Sequence, residues 1–166
     1  MSKRRRGFSL VEILIVVMII GILAAIAVPK LSNASQVARE NSLKDNLRLL
    51  RTQLGVYKSQ HSAFPGYPGG DTAQSPTAAI TCDQLLLCTD AAGNTSPTNT
   101  PVYHWGPYLD AMPKNPVNGN SDWKILADSD PFTPDGTTGW LYQPSTGTLK
   151  ANNAGTDSSG RAIIDY

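Results

Sequence analysis

Histidine and cysteine are scarce in this 166-residue chain, with two of each: His61, His104, Cys82 and Cys88. Two histidines leave little for metal or acid–base chemistry, and two cysteines are too few for a disulfide scaffold. There is no Gly-x-Ser-x-Gly, no phosphate-cradling glycine loop and no pair of histidines at helical spacing, so no catalytic set is visible and an enzyme is not expected. Positive charge is missing where a nucleic acid would need it. The formal net charge is +1, but Lys3, Arg4, Arg5 and Arg6 hold four of the fourteen basic residues, and the remaining ten face thirteen acidic ones, a balance of −3. A body with that balance has no basic face to neutralise phosphates, which argues against a nucleic-acid partner. The length allows one modest domain plus an extension.

What is present is concentrated at the start. After the basic run come Gly7-Phe8-Ser9-Leu10-Val11-Glu12, and then Ile13 to Val28 without a polar side chain. Phe8 to Val28 is 21 residues, about 32 Å as a helix, which matches a hydrocarbon core of roughly 30 Å. Lys and Arg on the N-terminal flank hold that end in the cytoplasm and put the rest of the chain outside the membrane. Three readings compete. Ala25-Ile26-Ala27 has the small-x-small pattern of a secretory cleavage site, which would release a soluble binding or enzymatic domain after Ala27. Alternatively the segment is a plain signal anchor, with Glu12 near the headgroups. In the third reading the chain is cut between Gly7 and Phe8 and the apolar segment stays on the mature protein. Glu12 separates them. A charged residue costs about 2.5–3.5 kcal/mol at the centre of a membrane helix and less near its end. A disposable signal gains nothing from that cost, whereas a retained helix can use the carboxylate once a cation arrives.

Gly7-Phe8-Ser9-Leu10-Val11-Glu12 followed by an apolar run resembles the cleavage and methylation motif of type IV prepilins and type II secretion pseudopilins. The resemblance implies that a prepilin peptidase on the cytoplasmic side cuts after Gly7 and methylates Phe8, leaving Glu12 fifth in the mature chain. It implies a filament built from copies of the chain and other pseudopilins. Before assembly the subunit waits in membrane lipid, and an inner-membrane assembly platform and an ATPase supply the work. Within the family, a type II secretion pseudopilin of the major type is favoured over a surface pilin. In a helical stack the Phe8 α-amine, of pKa about 7.7–8.0, can meet the Glu12 carboxylate of a neighbour and neutralise a charge that was costly alone.

Pro29 lacks the N–H that would bond to the Ala25 carbonyl, a defect of about 3 kcal/mol in a helix interior, and Gly21 is a second weak point. Both are candidate helix breaks: either Pro29 is a tolerated kink, or Ile22 to Val28 stretches when subunits pack. Beyond Pro29 an amphipathic helix is expected over 30–60. Leu43, Leu47, Leu50, Leu54 and Tyr57 form one apolar stripe, with Arg39, Glu40, Lys44, Asp45, Arg48, Arg51 and Lys58 assigned to other faces. The stripe is read as the side that packs on a head domain.

Composition changes at residue 61, beyond which lie eleven of the twelve prolines and eleven of the fourteen glycines. The 61–166 segment is therefore loop-rich, and its core depends on the stripe of the preceding helix. Ala79 to Thr89 reads as a short helix. On such a helix Cys82 and Cys88 point to different faces, so either the segment is not helical or the thiols are unpaired, and the unpaired reading is preferred. Trp105 to Leu109 and Met112 to Pro116 resemble the segment before the sheet in major pseudopilins. Trp123 to Ala127 and Gly139 to Gln143 read as strands, and Gly147 to Ala151 pairs with the latter across a Pro144-Ser145-Thr146 turn. Asp128-Ser129-Asp130 with Asp135 lacks the ligand spacing of an EF-hand and is read as a solvated turn. Major pseudopilins often coordinate calcium near the C-terminus, and this resemblance makes Asp157 and Asp165 candidate calcium ligands, with no other cofactor expected. The expected fold is α+β: leader 1–7, transmembrane helix 8–29, amphipathic helix 30–60 and a 61–166 head with a small antiparallel sheet.

Overall fold

The computed structural model describes residues 9–166. Its first element is α1, Leu10–His61, a helix of 52 residues. The helix continues through Gly21 and Pro29: a proline removes one amide donor, and the flanking turns keep their own bonds. The described residues fall into two compact units that divide between Ala38 and Arg39. The second begins inside the helix, some twenty residues before the composition changes.

In the second unit the stripe is buried as its period requires. Leu43, Leu47, Leu50, Leu54 and Tyr57 are each at most 1% exposed. They share a core with Leu85, Tyr108, Trp123, Trp140, Tyr142, Leu149 and Ile163. The helix ends at His61, where Ser62 takes φ 64° and its N–H donates to the Lys58 carbonyl at 3.0 Å. That left-handed residue satisfies a carbonyl the last turn would leave unpaired.

The short helix α2 spans Ala78–Leu86, its first turn capped by Thr77, whose side chain accepts the Ile80 N–H at 3.2 Å. It stops before Cys88, which lies instead in β1 (Cys88–Thr89), paired antiparallel with β2 (Thr95–Ser96). The expected helix to Thr89 is thus three residues too long. Cys82 and Cys88 are both free thiols, and burial pushes the Cys82 thiol up to about 11, so it is no reactive thiolate.

Three strands make the main sheet: β3 (Trp123–Ile125), β4 (Trp140–Gln143) and β5 (Thr148–Ala151), in that spatial order. The β4–β5 hairpin is antiparallel with Gln143 opposite Thr148, as its turn signal required. The β3–β4 pair is parallel, which corrects the expectation of a wholly antiparallel sheet. Parallel neighbours need a crossover of a dozen or more residues, and residues 126–139 supply fourteen. Asn152 anchors that crossover: its Oδ1 accepts the Asp135 N–H at 2.7 Å and the Gly136 N–H at 3.1 Å, while its Nδ2 donates to Asp135 at 2.7 Å and Thr138 Oγ1 at 2.9 Å. The Met112–Pro116 stretch is tied to β4, because Trp140 Nε1 donates to the Pro113 carbonyl at 3.1 Å.

Candidate functional site

The N-terminal unit carries the residues on which the sequence reading turns. Gly7 and Phe8 lie outside the described residues. Ser9 and Glu12 lie within them and form half of a capping box: the Ser9 N–H donates to Glu12 Oε2 at 3.4 Å, and the Ser9 carbonyl accepts the Glu12 N–H at 3.1 Å. The Ser-x-x-Glu spacing is a helix-start signal, here embedded in the cleavage motif. Glu12 therefore helps begin α1, and its charge sits where the positive end of the helix dipole favours an anion.

From Leu10 to Ile26 every large apolar side chain is exposed, among them Leu10 at 81%, Met18 at 65% and Leu23 at 61%. The helix is apolar on all sides rather than along one stripe, the pattern of a segment that meets lipid or other helices all round. Among the described residues no helix is long and apolar enough to cross a membrane. Leu10 to Ile26 covers seventeen residues, about 26 Å, and the 8–29 span read from the sequence extends past both ends. Gly21 is open, with no atom near the position a Cβ would take.

The other two candidate residues lie in the 157–166 segment. Asp157 is 8% exposed. Its Oδ1 accepts the Ser159 N–H at 2.8 Å, the Ser159 hydroxyl at 2.6 Å and the Arg161 N–H at 2.9 Å. Its Oδ2 accepts the Tyr166 hydroxyl at 2.6 Å and lies 3.9 Å from Lys44 Nζ. Bonds from Ser159 and Tyr166 lead the contributions that hold this carboxyl well below the usual carboxylate range. Asp165 is exposed, and its backbone carbonyl accepts a hydrogen bond from the Arg161 guanidinium. Among the described residues no three Asp, Glu, His or Cys side chains gather to hold a metal ion.

Charged residues of α1 make bonds that the sequence reading did not anticipate. Glu40 lies off the leucine stripe, as read, yet it is 5% exposed and accepts the Ser158 N–H at 2.9 Å and the Ser158 hydroxyl at 2.7 Å. Arg51 donates through Nη2 to the carbonyls of Leu149 and Tyr166, both at 2.7 Å. At 100° per residue, positions 40, 44 and 51 fall within about 40° of one another, beside the leucine stripe. That spacing was the signal that the three share one face. Asp128 and Asp130 are exposed turn residues; Asp130 Oδ2 accepts the Ala127 N–H at 3.0 Å, and Asp128 accepts the Ser145 hydroxyl.

Comparison with known proteins agrees with this layout. The family model for the prokaryotic N-terminal methylation motif matches residues 2–28. Type II secretion system core protein G of Vibrio cholerae is 31% identical over 133 residues, covering 80% of this chain and 78% of that protein. Core protein G of Dickeya chrysanthemi is 37% identical over 65 residues, 39% of this chain and 42% of that protein. The type IV major pilin protein PilA of Myxococcus xanthus is 39% identical over 66 residues, 40% of this chain and 30% of that protein. No solved structure matches. With a motif model on its first helix and a relative aligned through most of the head, this chain belongs to the type II secretion core protein G family, the major pseudopilins among the type IV pilin-like proteins.

Proposed function

We propose that the chain is a non-catalytic structural subunit of a type II secretion pseudopilus or a related type IV pilus-like filament. It is made as a prepilin, cut after Gly7 by a prepilin peptidase, methylated at Phe8, and held in the inner membrane with its head outside until assembly. Copies of the chain, other pseudopilins, an assembly platform and an ATPase are its partners in this reading. The observation that carries it is the Leu10 to Ile26 part of α1, exposed and apolar on every side, with one carboxylate in its first turn.

Glu12 links processing to assembly. Before cleavage Phe8 contributes an uncharged amide nitrogen. Cleavage creates an α-amine, largely protonated at neutral pH. The Glu12 carboxylate, held among the described residues by one long bond from Ser9, then has a cation to meet on a neighbouring helix. The pair removes much of the cost of an isolated charge in lipid. Pro29 and Gly21 are the positions in the spanning segment where the helix yields at least cost if packing requires it to lengthen.

Mass spectrometry of the mature N-terminus tests the reading. A chain that starts with methylated Phe8 supports it. A chain that starts at Val28 overturns it in favour of a secreted soluble domain.

A further inference from the structure

The resemblance to major pseudopilins brings calcium to the 157–166 segment, and the residues there do not fit a calcium ion. Calcium takes six to eight oxygen ligands, usually with carboxylates foremost. A carboxylate offers about four lone-pair sites, and Asp157 already receives four hydrogen bonds from Ser159, Arg161 and Tyr166. The fifth neighbour is the Lys44 ammonium at 3.9 Å, a charge that repels a cation. The Asp165 carbonyl faces the Arg161 guanidinium. Between these groups the Tyr166 ring lies 4.4 Å from Lys44 Nζ and 5.4 Å from the Arg161 guanidinium carbon.

We propose that in this chain the 157–166 segment is latched to α1 by its own side chains, with Glu40, Lys44 and Arg51 doing the work the family resemblance would give to calcium. Each holds a different part. Glu40 takes both donors of Ser158 at the tip of the turn. Lys44 covers Asp157 and the Tyr166 ring. Arg51 joins the Tyr166 carbonyl to the Leu149 carbonyl of β5. A backbone bridge between Thr156 and Ala162, with the Asp157 N–H donating to the Arg161 carbonyl at 2.8 Å, shapes the turn that presents these groups. The bonds are charge-assisted, and those to Ser158 and Leu149 are partly buried, which places them among the stronger protein hydrogen bonds. Because the residues of α1 that make them are spaced at four and seven, a single helix face reaches the whole segment. The latch is a property of the head and stands whether or not the chain forms filaments.

The test uses the full chain in detergent, with millimolar calcium or with excess chelator. Two readouts are followed: the thermal midpoint by near-ultraviolet circular dichroism, and the rate at which trypsin, cutting after Arg161, releases residues 162–166, read by mass spectrometry. The latch gives the same midpoint and the same release rate in both conditions. Arg51→Ala, and the milder Tyr166→Phe, then raise the release rate, Arg51→Ala by about tenfold or more as expected for losing charge-assisted bonds, and equally with calcium or chelator. A midpoint or protection that rises with calcium overturns the proposal. So does an unchanged release rate in both variants.

Discussion

Leu49 and Leu50 are chemically identical neighbours on α1, and the fold separates them completely. Leu50 is 0% exposed within the core, whereas Leu49 is 43% exposed. Leu14 and Leu23 in the apolar unit are 60% and 61% exposed, so Leu49 is nearer to them than to Leu50. Replacing Leu50 with Ala removes buried carbon and leaves a cavity, at a cost of about 2–5 kcal/mol. Leu49→Ala costs no more than about 1 kcal/mol, since 43% of its surface stays exposed in the fold. The compact unit of residues 39–166 has 128 residues, and at about 2.1 cal/mol/K per residue its unfolding entropy is about 0.27 kcal/mol/K. The expected fall in Tm is therefore about 7–19 °C for Leu50→Ala and no more than about 4 °C for Leu49→Ala. Trp123 and Trp140, both in the core, report the transition by fluorescence in a thermal melt of the full chain in detergent. Equal losses, or a larger loss at Leu49, would mean that the stripe is out of phase by one residue, a 100° rotation of the helix, and would refute the packing described.

Three other perturbations follow from the head. His61 sits against Tyr57 and Trp105 with its Nε2 2.8 Å from the Tyr108 hydroxyl and 3.0 Å from Thr89 Oγ1, and burial holds its pKa below the ordinary 6.5, the Ala91 backbone and the Asp90 charge opposing only in part. The unfolded chain thus takes up a proton that the folded head resists, so stability is fully present above pH 6.5 and falls as the pH drops below it; denaturant melts at pH 7.5 and 5.5 should show a loss that His61→Gln reduces. Gly147 has φ +70°, and a Cβ there would lie 2.2 Å from the Phe64 ring, so Gly147→Val should cost at least about 2 kcal/mol through backbone strain and collision in the β4–β5 turn, seen as a lower midpoint in urea. Gln84 is 1% exposed and bonds the Gly66 N–H at 2.7 Å and the Tyr67 and Gly93 carbonyls at 3.0 and 2.8 Å; Gln84→Leu strands those groups and should cost several kcal/mol, about 1–3 for each one left buried and unpaired, by the same melt.

Periodicity made much of the fold legible. The leucine stripe repeats at three and four, so its burial follows from the sequence alone, and the β4–β5 hairpin is bounded by Pro144 and Gly147. The parallel β3–β4 pairing was not legible, because strand direction is set by the path of the 126–139 crossover, and that path depends on the distant Asn152. The partners of Glu40 and Arg51 were hidden for a different reason: charged side chains are usually solvated, and these acceptors and donors lie about a hundred residues away. At the N-terminal site, Glu12 was legible as an acid at a cost, whereas its bond to Ser9 was carried by a capping pattern that the cleavage motif overlays. In the 157–166 segment the two aspartates were legible, whereas the approach of Lys44 from α1 to Asp157 was not.

Glu12→Gln tests the central claim most directly, because it keeps the shape and removes only the charge. The account predicts a chain that is still cut after Gly7, still methylated at Phe8 and still found in the membrane fraction, while filaments in cells overproducing it, counted by electron microscopy, fall sharply. Filaments as abundant as those of the unaltered chain would contradict it.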